Sequence, residues 1–165
     1  LLNILMTNQK NIITIDRIFF KLKNKRIFEN LSLNFSFRGI SVILGPNGSG
    51  KTILTKLILG LQKIDKGIIK IENKKNIKFG YIPQKTILLR RNVFDNIAFP
   101  LVMDGCNKKE IFEKVNLYLK KFDIDKFKNL SARKLSGGLA QFISFVRSVI
   151  TDPDILILPF GWYSR

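Results

Sequence analysis

The sequence predicts an α/β domain carrying an inserted helical subdomain, and three observations predict it. A nearly all-apolar, β-branched run, ISVIL (40–44), passes through a glycine-rich loop into an amphipathic stretch, as a parallel strand feeding a helix should. Short alternating runs lie on either side of that unit. From 92 to 150 the texture becomes mostly helical, and DILIL (154–158) then returns to strand. The order is strands, strand–loop–helix, strands, helical insert, strand. With 165 residues and 45% apolar content, the chain has the length and composition of one packed domain, 1–165, with its helical subdomain at about 92–150.

Taken in order, IITI (12–15) and NLSLNFSF (30–37) read as strands, the second with Leu31, Leu33, Phe35 and Phe37 on one face. ISVIL follows as the central strand. TILTKLILGL (52–61) has helical period, with Ile53, Leu54, Leu57, Ile58 and Leu61 on one face. GIIKI (67–71) and IKFGYI (77–82) are short strands around the polar turn ENKKN. NKKEIFEKVNLYLKKF starts a helix at Asn107, with Glu110 placed for a capping box. QFISFVRSVI (141–150) is a further helix.

Composition bounds the rest. No apolar run reaches the ~18 residues that cross a bilayer. LLNILM at the start is too short, and lacks the basic flank, for a signal peptide. Cys106 is alone, so no internal disulfide forms, and a reducing compartment is expected. The net charge of +17 would suit nucleic acid or an anionic membrane. The lysines, however, are scattered among many Ile, Asn and Phe residues, and basic blocks are short. The charge is therefore read as compositional, and nucleic acid is not an expected partner. With no His, no imidazole can serve as base or ligand. The chain starts at Leu1, with Met6 its first Met, which suggests an imprecisely started or incomplete reading frame.

GPNGSGKT fits G-x-x-x-x-G-K-[ST] between strand and helix, the setting that motif needs. Gly45, Pro46, Asn47, Gly48, Ser49, Gly50, Lys51 and Thr52 make the loop. A polyphosphate needs many donors in a small arc. Gly48 and Gly50 let successive N–H groups turn inward, and the first helical turn adds free N–H groups and a positive dipole end. Lys51 brings a full charge to the β- and γ-phosphates; Thr52 brings a hydroxyl to Mg²⁺. This makes a nucleotide binder and leaves the kind open.

LSGGLAQ offers a second anion site, with the Ser136 hydroxyl and the N–H groups of Gly137 and Gly138 just before a helix. An ordinary N-cap has the same appearance. At these residues the chain resembles the ATP-binding cassette (ABC) transporter ATPases, whose signature loop reads LSGGQ, followed by a helix like QRVAIARAL and a PD-strand. LSGGLAQFISFVRSVITDPDILIL runs in register with that pattern. Leu135, Ser136, Gly137, Gly138, Gln141 and Arg147 match, while Leu139 and Phe142 stand in place of Gln and Arg. FGYIPQ ends in Gln84, which the resemblance assigns to Mg²⁺, to the attacking water and to communication with the membrane subunit. LLRRNVFDNIAFPL resembles the family segment that follows this Gln. The resemblance covers roughly 12 to 160.

The resemblance implies a P-loop NTPase of ABC type: a mixed β core, an antiparallel β subdomain and the helical insert, incomplete at the C-terminal side. It implies ATP and Mg²⁺ as cofactors, transmembrane permease subunits and a second ATP-binding subunit (a homodimer) as partners, and a peripheral position on the cytoplasmic face of the membrane. It points to an importer; a non-catalytic truncated remnant and a soluble ABC ATPase acting on nucleic acid or ribosomes are the alternatives. An aromatic residue upstream of the phosphate loop should stack on adenine; Phe20 is the choice, with Phe19 and Leu22 as alternatives, and a core phenylalanine is an equal reading of Phe20. In the family the strand ILIL ends in Asp-Glu, for metal and water. Here Pro159 and Phe160 follow Leu158, and neither side chain can bind a cation or take a proton. Asp152 and Asp154 precede the strand and belong to its other end. The family's switch histidine has no counterpart in this sequence. Hydrolysis should suffer far more than binding.

Overall fold

The computed structural model describes residues 11–36, 39–71 and 77–159. The N-terminal LLNILM, the ENKKN turn, Phe37 and Phe160 lie outside the described residues. The chain divides into two compact units, with the boundary between residues 76 and 77. The helical insert therefore shares its unit with the strands on either side of it.

The first unit holds an antiparallel sheet of order β2-β1-β3, from β1 (Asn11–Leu22), β2 (Lys25–Ser36) and β3 (Lys66–Ile71). β1 and β2 form a hairpin longer than the two expected runs, turning at residues 23 and 24, with Lys23 at φ 55°. A bulge at Arg17 (φ 44°) breaks the alternation of β1. Ile13 and Ile15 face inward, and so, after the bulge, do Ile18 and Phe20. One extra residue in a strand flips the face of everything beyond it.

Gly67 on β3 accepts the bulge. Its φ is 95°, and a Cβ there would stand 2.4 Å from the Arg17 carbonyl oxygen. Gly67→Ala should therefore destabilise this sheet by about 2–4 kcal/mol, as strain at a positive φ plus a backbone clash. Urea unfolding checks this, and an unchanged midpoint would contradict the bulge geometry.

Helix α1 (Lys51–Ile58) buries Leu54, Leu57 and Ile58. Asp65, beyond its exit, joins β1: its N–H donates to the Phe19 carbonyl (3.0 Å) and its carboxylate accepts from the Lys21 N–H (2.7 Å). The expected strand ISVIL is corrected. Residues 40–44 carry only a bridge at Leu44, Ile40 is 92% exposed and Leu44 is 45% exposed. A strand exists through its ladder partners, and neither described sheet includes this run.

The second unit begins with β4 (Phe79–Tyr81), which pairs parallel with β5 (Ile155–Ile157) in the register Phe79–Ile155, Gly80–Leu156, Tyr81–Ile157. Between them lie α2 (Val93–Met103), α3 (Lys108–Lys121) and α4 (Gly137–Val149). The capping box of α3 forms as its spacing predicts: Asn107 Oδ1 accepts from the Glu110 N–H, and Glu110 Oε2 accepts from the Asn107 N–H. The core joins all three helices through Val93, Ile97, Leu101, Val115, Leu119, Ile143, Val146 and Ile150. α4 lies against β4 at Gly80, where a Cβ would meet the Ser148 carbonyl oxygen at 2.6 Å.

Candidate nucleotide-binding site

Gly45 to Thr52 form one loop that ends in α1. Gly48 (φ 82°) and Gly50 (φ 93°) both take the left-handed backbone that a side chain disfavours. Gly50 is also fixed by space, since a Cβ would lie 2.9 Å from the Phe28 ring and 3.0 Å from Ile27. Gly48 has nothing within 4 Å of that position, so its surroundings are open. The Ser49 N–H donates to the Pro46 carbonyl at 3.2 Å, closing the turn.

Lys51 folds back over this turn. Its Nζ donates to the carbonyl oxygens of Gly45 (2.6 Å) and Pro46 (2.7 Å). The first turn of α1 has no acidic residue to compete for its free N–H groups. The Ser49 hydroxyl is buried without a hydrogen-bond partner, and Thr52 is exposed one residue into the helix. A half-buried ammonium, helix N–H groups and open space at Gly48 are the donor set a polyphosphate needs. The two hydroxyls are the oxygen type that a hard cation such as Mg²⁺ accepts.

The second loop opens α4. Ser136 is its N-cap, accepting from the Leu139 N–H at 3.3 Å, as the ordinary capping reading has it. A Cβ on Gly137 or Gly138 would touch nothing within 4 Å, and the first turn again lacks an acid. α4 starts at Gly137, four residues before the expected helix, because Ser136 caps it there. Gln141 is half-buried. The two departures from the signature pattern have a packing explanation. Phe142 meets Phe122 edge-on at 5.7 Å and stacks with Phe145 at 6.1 Å, and Leu139 packs against the helical core.

Gln84 stands exposed in the loop that leaves β4. Because β4 and β5 run parallel, this loop and the Leu158–Pro159 segment emerge at the same, carboxyl edge of the pair. Asp154 lies at the opposite edge, as expected, with Oδ2 accepting from the Lys78 N–H at 3.0 Å. Asp152 is occupied by Lys114 Nζ (2.6 Å) and the Tyr118 hydroxyl (2.7 Å). The Lys114 hydrogen bond, then that of Tyr118, hold the Asp152 carboxyl below its usual range. Burial, then Asp152, push the Tyr118 hydroxyl up to about 12.

Of the upstream aromatics, Phe20 is 6% exposed and belongs to the core of the first unit. A ring so enclosed fits the core reading of Phe20, the equal alternative to stacking on a base. The bulge at Arg17 is the cause: unbroken alternation from Ile13 and Ile15 would have buried position 19 instead. Phe19 (38% exposed) and Leu22 (44%) are the candidates that reach the surface.

Sequence reasoning missed Asn96, which is fully buried and shapes the segment after Gln84. Its Oδ1 accepts from the Leu89 N–H (2.8 Å), and its Nδ2 donates to the carbonyls of Leu89 (3.1 Å) and Asn92 (2.9 Å). A polar residue on the inward face of an apolar helix was the available signal.

Comparison with known proteins gives a consistent family. The ABC transporter family model matches residues 28–158. The chain is 33% identical over 162 residues to the ergothioneine transport ATP-binding protein of Helicobacter pylori, covering 90% of this chain and 74% of that protein. It is 37% identical over 150 residues to the molybdate/tungstate import ATP-binding protein of Methanocaldococcus jannaschii, covering 84% of this chain but 47% of that one. Among solved structures it resembles cbiO1 from Clostridium perfringens, part of the ABC transporter complex cbiONQ, with TM-score 0.71 and 20% identity over 91% of this chain and 65% of that chain. That likeness concerns the fold, and the α/β architecture with a helical insert agrees with it. The phosphate loop, the Gln84 loop and the serine-glycine loop at a helix start, in that order and under a family match over most of the chain, place this chain in the ABC transporter family.

Proposed function

We propose that the chain is the ATP-binding subunit of an ABC importer, coupling nucleotide binding to transport through transmembrane permease subunits. The observation that carries this reading is the phosphate loop, with Lys51 poised on the Gly45 and Pro46 carbonyls at the start of an acid-free helix turn. ATP exchanges those carbonyls for phosphate oxygens, and Gly48 to Thr52 supply N–H groups. Thr52 and Gln84 are the residues assigned to Mg²⁺, whose charge, when bound, offsets that of the phosphates. A second copy of the chain is the proposed source of the Ser136–Gly138 loop that completes the site. The proposed position is peripheral, on the cytoplasmic face of the membrane. No helix among the described residues is long and apolar enough to cross a bilayer, which suits that reading. The two relatives above are named for different cargoes at similar identity, so the cassette does not identify the cargo.

Replacing Lys51 by Ala removes the charge and leaves the loop. Affinity for a fluorescent ATP analogue should fall at least tenfold, ~1.4 kcal/mol. Equal affinity in the two proteins would remove the basis for the reading.

Pro159 favours a second reading of the chemistry. It follows β5 at the edge from which Gln84 emerges, where the family resemblance implies a carboxylate. On this reading the chain holds nucleotide and hydrolyses it poorly.

A further inference from the structure

We propose that Arg147 is a positioning residue for Gln84, tying the loop after β4 to the last turn of α4. This rests on the role given to Gln84 above. Arg147 Nη2 donates to the Ile87 carbonyl at 2.7 Å. A cation in the last turn of a helix is favourable anyway, but this side chain leaves its own helix to reach another segment. The guanidinium is half-buried, and burial lowers its pKa from the usual value. A charge is held in such a place only when its hydrogen bonds compensate for lost water.

The segment it grips is irregular, and its packing on the helical core comes from Leu88, next to Ile87. Residues 84–89 form no regular element, and the Ile87 side chain is 62% exposed, so its own burial does not anchor it. The flanks are fixed. The Ile82 N–H donates to the Ile157 carbonyl at 3.1 Å, and Asn96 clamps Leu89. Arg147 supplies a hold between these flanks. It also sits on the helix whose first residue follows Ser136, and that helix lies on β4 at Gly80. A rigid helix thus connects the serine-glycine loop at one end with the Gln84 loop at the other. A displacement of α4 would carry the Ile87 carbonyl, and with it the loop that bears Gln84.

The test is a nitroxide at the exposed position 85 (Lys85→Cys in a Cys106→Ser background), read by electron paramagnetic resonance without nucleotide. Its outcome is thus independent of whether ATP binds. Arg147→Met should shorten the label's rotational correlation time at least about threefold, into the fast loop regime. A control label at Lys109 on α3 should not change, and Arg147→Lys should restore most of the restriction. If Arg147→Met does not fold, Arg147→Gln decides, since its amide is too short to reach Ile87. An unchanged label at 85, or equal loosening at 85 and 109, overturns the proposal.

Discussion

ATP turnover by the purified chain is expected to stay near the uncatalysed background, even when nucleotide saturates the phosphate loop. The reason is local. β5 delivers Leu158 and Pro159 to the carboxyl edge it shares with the Gln84 loop. A prolyl side chain has no lone pair for a cation and cannot take a proton. Groups that orient water and metal act on the transition state more than on the bound ground state, so their loss lowers turnover and spares affinity. Each such group is typically worth about 10²–10⁴ in rate, so turnover at least about 10³ below that of an acid-bearing cassette is expected. Asp154 and Asp152 do not substitute, because they are tied to Lys78, and to Lys114 and Tyr118, at the far edge. Phosphate release from the chain, and from a variant with Asp-Glu inserted between Leu158 and Pro159, checks this. The insertion should raise turnover. Ordinary turnover by the unmodified chain, abolished by Lys51→Ala, would mean that another acid reaches the γ-phosphate.

The second large effect concerns stability. Asn96→Ala should destabilise the second unit by about 3–4 kcal/mol. It removes a fully buried amide and leaves the Leu89 N–H and carbonyl without their partner. Each buried orphan costs about 1–3 kcal/mol, with a small cavity term in addition. Asn96→Asp should fare no better, since it keeps the acceptor for Leu89 but loses both donations and buries an acid. Urea unfolding followed by helix signal gives the measurement. A loss below about 1 kcal/mol for Asn96→Ala would show that water replaces the amide without difficulty.

The strongest local signals were legible from sequence. The capping box at Asn107 and Glu110 formed as its spacing predicts, because both partners lie within four residues of each other. Gly48 and Gly50 of the phosphate loop take the positive φ their motif requires. What was not legible depends on long-range packing. ISVIL has the composition of a central strand, yet a strand is defined by neighbours that its own residues do not encode. The choice between a stacking and a core role for Phe20 stays open in the sequence because nothing in DRIFFKL announces a bulge. Arg17 becomes the extra residue only because Gly67, far along the chain, leaves room for it. Arg147 and Asn96 followed the same pattern, since their partners Ile87 and Leu89 are backbone groups that any sequence could supply. The aromatic side chain at 142 shows the converse. Its departure from the family pattern was visible, but not its packing against Phe122.

On the proposed function, ATP is held by the backbone of this one loop and not by the diffuse charge of +17. Titrating ATP into ¹⁵N-labelled protein and following the amide resonances tests it directly. Saturable shifts at Gly48, Ser49, Gly50, Lys51 and Thr52, lost in Lys51→Ala, are expected. Shifts spread over the lysines of α3, with the loop amides unmoved and the effect vanishing in moderate salt, would contradict it.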